Sequence, residues 1–213
     1  MSNYSVEAKD LDKRFGRRLI FKNLNFKIDS PGIIGISGPN GSGKSTLVKI
    51  IAGINSPSNG KIIHKENGNE IISEKLHNFI GFVSPYLVLY EEFSALENLT
   101  YFARIRDVAF NSERIDFLLN KFLLFDRKND LVKTYSSGMK QRLKFIFALM
   151  HSPSLIILDE PTSNLDNEGK ESVYKIVEDE GSQNIVIIAS NEDSDLQLCS
   201  EKLNLIDFKH NGD

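Results

Sequence analysis

Residues 38–46 read Gly-Pro-Asn-Gly-Ser-Gly-Lys-Ser-Thr, and this stretch decides the fold. It satisfies the spacing G-x-x-x-x-G-K-[ST] in full, from Gly38 through Gly43-Lys44-Ser45. Gly38, Gly41 and Gly43 carry no Cβ, so the backbone can curl around a phosphate with its N–H groups turned inward. Pro39, Asn40 and Ser42 complete the loop, and Thr46 follows it. Lys44 brings a point positive charge to β- and γ-phosphates, while Ser45 offers a hydroxyl to Mg²⁺. The flanks agree. Residues 32–36 read as a buried apolar strand. Thr46, Leu47, Val48, Ile50 and Ile51 read as a helix whose positive N-terminus faces the phosphates. A plain glycine-rich turn would need neither the Lys-Ser pair nor both flanks. The stretch implies a nucleoside triphosphate site in an α/β fold.

Working outward, Leu155-Ile156-Ile157-Leu158-Asp159-Glu160 is an apolar run ending in two carboxylates. Such a run suits a strand buried on both faces of a parallel sheet, with the acids at its C-terminal end, where ligands of open sheets bind. Asp159 suits a Mg²⁺ role, through water or Ser45. Glu160 is placed to polarise an attacking water as general base. Taken alone, two acids merely closing a strand would be the better reading. The loop at Gly38 reverses that judgement, with Lys44 and Glu160 as the catalytic pair.

Between these segments lies Tyr135-Ser136-Ser137-Gly138-Met139-Lys140-Gln141-Arg142, ahead of apolar residues at helical spacing (Met139, Leu143, Ile146, Phe147, Met150). Ser136–Gly138 thus stand near a helix N-terminus, an anion-binding geometry. Here a resemblance becomes specific. The segment resembles the LSGGQ signature of ATP-binding cassette (ABC) proteins. Tyr135 replaces the leading Leu, Ser137 the first Gly and Met139 the Gln, while Ser136 and Gly138 are kept. Ser163-Asn164-Leu165-Asp166 is similar to the family's D-loop, with Ser163 and Asp166 at its ends. The resemblance spans about Val6 to Ile206.

The resemblance implies ATP and Mg²⁺ as cofactors, with Ser45 and Asp159 on the metal. It places Phe15 on the adenine, although a core Phe near a turn reads equally well from residues alone. It implies that Ser136, Ser137, Gly138 and Met139 face the ATP of an opposite subunit. It implies a homodimer or heterodimer of cassettes partnered by integral membrane transporter subunits. Two positions depart from the pattern. Pro85 stands at the Q-loop glutamine and has neither a side-chain oxygen nor an N–H; the hydroxyl of Ser84 is the nearest substitute. Asn191 stands at the switch histidine. It can donate to a γ-phosphate but cannot exchange a proton near neutral pH. Both changes bear on hydrolysis rather than on binding.

Length and composition fit one cassette spanning residues 1–213, with a helical insertion at 85–132. The formal charge of −3, from 26 basic and 29 acidic residues, argues against a nucleic-acid grip. One cysteine, Cys199, excludes an internal disulfide and reads as a small buried residue. The first ten residues lack the apolar core of a secretory signal, and no run reaches the roughly 20 apolar residues that span a bilayer. The expectation is a cytoplasmic protein held at the inner face of a membrane by its partner.

The expected fold is a P-loop α/β cassette of ABC type. Strands 6–9, 24–28 and 61–65 form an antiparallel subdomain. Strands 32–37, 79–84, 155–159, 184–190 and 203–206 form a mostly parallel core sheet. Helices are predicted at 44–52, 95–105, 112–122, 139–151, 168–179 and 195–199, and turns at 57–60 and 67–69. His151 is predicted to close a helix C-terminus. Tyr86, Leu87, Val88, Leu89, Tyr90 and Phe93 form a cluster that reads either as packing or as a docking surface for a membrane partner. Two functional classes follow: the ATPase subunit of a transporter, or a soluble ABC-type ATPase or nucleotide switch in a protein complex. The compact single cassette also resembles haem-exporter ATPases weakly.

Overall fold

In the computed structural model, which describes residues 3–163 and 165–209, alternating apolar residues build the first layer. Tyr4, Val6, Ala8 and Leu11 are buried along β1 (Tyr4–Phe15), and Ile20, Phe21 and Leu24 along β2 (Arg18–Ile28). The two pair antiparallel. The chain continues through β3 (Gly32–Ser37), α1 (Lys44–Ile51), β4 (Asn59–Glu66) and the short β5 (Asn69–Glu70). Strands β2-β1-β4-β5 make one sheet in that order, and all its pairings are antiparallel.

Next come β6 (Ile80–Val83), α2 (Ala95–Ile105), α3 (Ser112–Lys121), α4 (Ser137–Leu149) and β7 (Leu155–Asp159). The described chain ends with α5 (Asn167–Gly181), β8 (Ile185–Ala189), α6 (Asp193–Gln197) and β9 (Glu201–Asn204), followed by a 3₁₀ turn. The second sheet runs β6-β7-β8-β3-β9 with every pairing parallel. Its central strands are buried on both faces. Leu155 and Ile157 of β7, with Ile185 and Ile187 of β8, face α1 and the antiparallel sheet. Ile156, Leu158, Val186 and Ile188 face α2–α5. Each such fully buried aliphatic contributes roughly 1.5–3 kcal/mol. The sheet is therefore the rigid platform of the molecule.

Local signals set several boundaries. Ser94 and Glu97 form a reciprocal capping box at the start of α2, and Asn111 caps α3. Strand β6 packs so closely on α4 that a Cβ at Gly81 would lie 2.2 Å from the carbonyl oxygen of Ala148. Four expectations need correction. Residues 205–208 turn as 3₁₀ instead of extending the last strand, because Asn204 Oδ1 accepts the N–H of Ile206 and Leu205 is buried. Helix α6 begins at Asp193, directly after the extended Glu192, two residues before the predicted start. His151 lies two residues past α4 and pairs with the carbonyl of Ile80 at 3.1 Å, so it fastens β6 rather than its own helix. Gly60, predicted as a turn, lies within β4 instead, at φ 75 where glycine is tolerated.

Candidate active site

The strand order brings the motifs together. Strand β8 lies between β7 and β3, and Ala189 pairs in register with both Asp159 and Ile36. The loops leaving β3, β7 and β8 therefore emerge side by side at one edge of the sheet. One carries residues 38–46, one Glu160, and one Ser190-Asn191. Glu160 N–H donates to the carbonyl of Ala189 at 2.8 Å, and Ser190 N–H to that of Ile36 at 3.3 Å, so the level is held by the backbone itself.

Gly43 caps α1 at φ 109, where a Cβ would meet Ile20 Cγ2 at 2.4 Å. No side chain caps this helix, so its first-turn N–H groups and positive end face the loop. Ser42 N–H closes the loop onto Pro39 O at 3.0 Å. Lys44, only 5% exposed, donates to Gly38 O at 2.8 Å and lies 3.6 Å from Glu160 Oε1. Ser45 Oγ donates to Asp159 Oδ1 at 2.8 Å. The other oxygen, Asp159 Oδ2, is buried with no hydrogen-bond partner among the described residues. Burial holds the Asp159 carboxyl above its usual range, although Ser45, Lys49 and Lys44 pull the other way. An orphaned carboxylate oxygen beside a serine hydroxyl is a donor set that a hard divalent cation fits.

Glu160 sits at φ 49, an uncommon left-handed conformation for a non-glycine residue, which turns its side chain off the strand. With Phe15, Asn40, Gly41, Lys44 and Thr46 it lines a cleft of 280 Å³. Phe15 is 53% exposed, with Lys13 Nζ 4.8 Å from its ring centroid, so the core reading of Phe15 fails. Arg18 and Ile20 line the same cleft; no sequence motif had marked them. Asn191 is exposed beyond Ser190 and is not among the residues lining this cleft.

The second set of motif residues stands apart from that cleft. Ser136 caps α4, its Oγ accepting the N–H of Met139 at 3.2 Å, and Ser137 and Gly138 open the helix. Ser137 and Ser163 border a different cavity of 360 Å³, shared with Leu87, Leu89 and Lys144. Ser163 Oγ donates to Glu160 O at 2.9 Å, and Asp166 Oδ1 accepts Gly169 N–H to cap α5. Asn164 of the predicted D-loop is outside the described residues. At the departures from the family pattern, Pro85 O accepts from Lys144 Nζ at 3.0 Å, and Ser84 Oγ accepts the N–H of Tyr86 at 3.3 Å.

A buried polar hub behind Glu160 had no sequence signal. Asp195, Ser190 and Thr162 are buried, with the hydroxyls of Ser190 and Thr162 both donating to the Asp195 carboxylate, and Gln141 of α4 donates to Pro161 O at 3.1 Å. These residues belong to no spacing motif. Only the fold gathers them. The partly buried Cys199 thiol is pushed up to about 11 by burial, as expected of an inert packing residue.

Phosphate-loop nucleotide hydrolases are built in this way, with loop, carboxylate pair and sheet edge in the arrangement found here. Comparison with known proteins narrows the class. The family model for the ABC transporter matches residues 21–163, more than half of the chain. The lantibiotic transport ATP-binding protein SrtF of Streptococcus pyogenes is 36% identical over 203 residues, covering 95% of this chain and 84% of SrtF. An uncharacterised ABC transporter ATP-binding protein, YdbJ of Bacillus subtilis, is 34% identical over 186 residues, covering 85% of this chain; the match spans only 60% of YdbJ. A putative ABC transporter ATP-binding protein from Pyrococcus furiosus superposes with a TM-score of 0.82 at 26% identity, covering 97% of this chain and 100% of that one. The chain belongs to the ABC transporter family, as an ATP-binding subunit with ATPase activity.

Proposed function

We propose that this subunit turns ATP-driven pairing of two cassettes into movement of a substrate by separate membrane subunits. The observation carrying this reading is the convergence of Lys44, the Ser45–Asp159 pair and Glu160 at adjoining strand ends. In this mechanism residues 38–46 wrap the triphosphate, and Phe15 stacks on the adenine. Lys44 holds the β- and γ-phosphates. Ser45 and Asp159 would hold Mg²⁺, which neutralises charge developing on the phosphates. Glu160 takes the proton of the attacking water. Asn191, at the β8 exit but outside the cleft lining, would have to turn inward to donate to the γ-phosphate.

Because Ser136–Met139 lie outside the Lys44 cleft of their own chain, they serve the nucleotide of a second cassette, closing it with a helix N-terminus. Ser163 and Asp166 shape the turn between the two sites. The membrane partner docks on the apolar surface of Tyr86, Val88 and Tyr90, which are 74%, 83% and 62% exposed. Among the described residues no helix is long and apolar enough to cross a membrane, so anchoring at the cytoplasmic face comes from that partner.

Where a multi-helix membrane protein is encoded beside it, co-expression of the two is the test. The wild type is expected in the membrane fraction, and a Tyr86→Glu/Val88→Glu variant in the soluble one. Equal recovery of both in the soluble fraction refutes the docking surface. ATP binding without hydrolysis, even with the membrane protein present, would favour the nucleotide-switch alternative.

A further inference from the structure

We propose that Asp195 is a positioning residue for hydrolysis, a buried carboxylate that holds the Glu160 turn and the Asn191 segment in one register. Asp195 is 1% exposed. A carboxylate at such depth is retained only where donors replace water. Here three hydroxyls do so, each from a different element. Oδ1 accepts from Thr162 Oγ at 2.8 Å and from Tyr174 OH at 2.9 Å, and Oδ2 accepts from Ser190 Oγ at 2.7 Å. Thr162 stands two residues after Glu160, Tyr174 is on α5, and Ser190 directly precedes Asn191. One side chain thus fastens the β7 exit, the β8 exit and α5 to each other.

The contact with the base goes through Ser190. Its oxygen accepts the N–H of Glu192 at 3.1 Å and also lies 3.3 Å from Glu160 Oε2. A serine has one proton to give. The 2.7 Å contact claims it for Asp195, which leaves the nearby Glu160 oxygen free to receive a proton from water. Without Asp195 the Ser190 proton turns to Glu160 instead, and the turn that carries Glu160 loses its tie through the Thr162 hydroxyl. Neither change touches residues 38–46, so hydrolysis and nucleotide affinity should separate.

The experiment compares Asp195→Asn, Ser190→Ala and the double variant with wild type, reading kcat, ATP affinity by equilibrium titration, and melting temperature. Asp195→Asn is expected to lower kcat about 10²-fold, the scale of a catalytic group displaced by about an ångström, with ATP affinity kept within about twofold. The double variant should be no slower than the slower single one, because both break the same link. Wild-type kcat in Asp195→Asn overturns the proposal. So do affinity and kcat falling together, and so does additivity of the two substitutions. If Asp195→Asn does not fold, Thr162→Val and Tyr174→Phe each remove one donor and must show the same split between kcat and affinity; its absence in both also overturns the proposal.

Discussion

Replacing Glu160 with Gln keeps the shape of the side chain and removes both its charge and its basicity, and the structure says these two losses act in opposite directions. Glu160 Oε1 lies 3.6 Å from Lys44 Nζ. At that distance a pair of unit charges attracts by about 1 kcal/mol at the dielectric of water, and more in a partly buried site. With the Glu160 side chain only 25% exposed, the water figure is a floor. Lys44 freed of this counter-charge, in a site that has also lost a negative charge facing the triphosphate, should bind ATP about fivefold more tightly or better. Turnover should move the other way, since a general base typically contributes about 10²–10⁴-fold. Phosphate release under saturating ATP measures the second effect, and equilibrium titration with a fluorescent ATP analogue the first. Sedimentation in Mg-ATP adds a third reading, because a slowly hydrolysing cassette should accumulate as the dimer. Hydrolysis at the wild-type rate would remove Glu160 from its role. Weakened ATP binding would show that its charge supports the site instead of competing for Lys44.

Three further outcomes are expected. Gly43→Ala forces a Cβ to within 2.4 Å of Ile20 Cγ2 at a left-handed φ. The strain of about 1–3 kcal/mol should weaken ATP binding about tenfold or more, with circular dichroism unchanged; equal affinity would contradict the loop geometry. The Asp159 carboxyl is raised by burial, so its charged form costs stability, and that cost appears as pH rises through the folded value. Asp159→Asn should therefore melt no lower than wild type in metal-free buffer at neutral pH, yet lose any rise in melting temperature caused by Mg²⁺; a lower metal-free melting point counts against this. His64 is pushed down to about 4 by burial, from the 6.5 ordinary for an imidazole. Its neutral ring is stabilising above the unfolded value, and that stability is lost as pH falls from about 6.5 toward 4, to the extent of about 3 kcal/mol. Urea titrations at pH 7 and pH 5 should show the loss in wild type and a smaller one in His64→Phe.

What could be read from the residue order was whatever depends on local spacing. The loop from Gly38 to Thr46 is contiguous because a phosphate is wrapped by consecutive backbone N–H groups, so its chemistry is written in one stretch. The run 155–159 was legible as a strand because burial on both faces demands unbroken apolar residues. The start of α2 was legible because Ser94 and Glu97 satisfy each other locally. The end of the last strand and the start of α6 were misjudged by two residues, since those boundaries are set by single caps and turns. The true length of β1 was hidden because half of its residues are polar and solvent-facing, and pairing with β2 and β4 extends it. Phe15 was ambiguous until its exposure was known.

From residue order alone came the expectation of a bound triphosphate, the contiguous loop at 38–46 proposed to wrap it, and two carboxylates at the end of a buried strand. The tertiary structure was needed to show that Phe15 lines the same cleft as Lys44, that Glu160 lies against Lys44, and that Asp195 gathers Thr162, Tyr174 and Ser190 behind it. The reason is physical. A parallel sheet places β8 between β7 and β3, so residues more than a hundred positions apart meet at one edge, and hydrogen bonds between them leave no periodic trace along the chain.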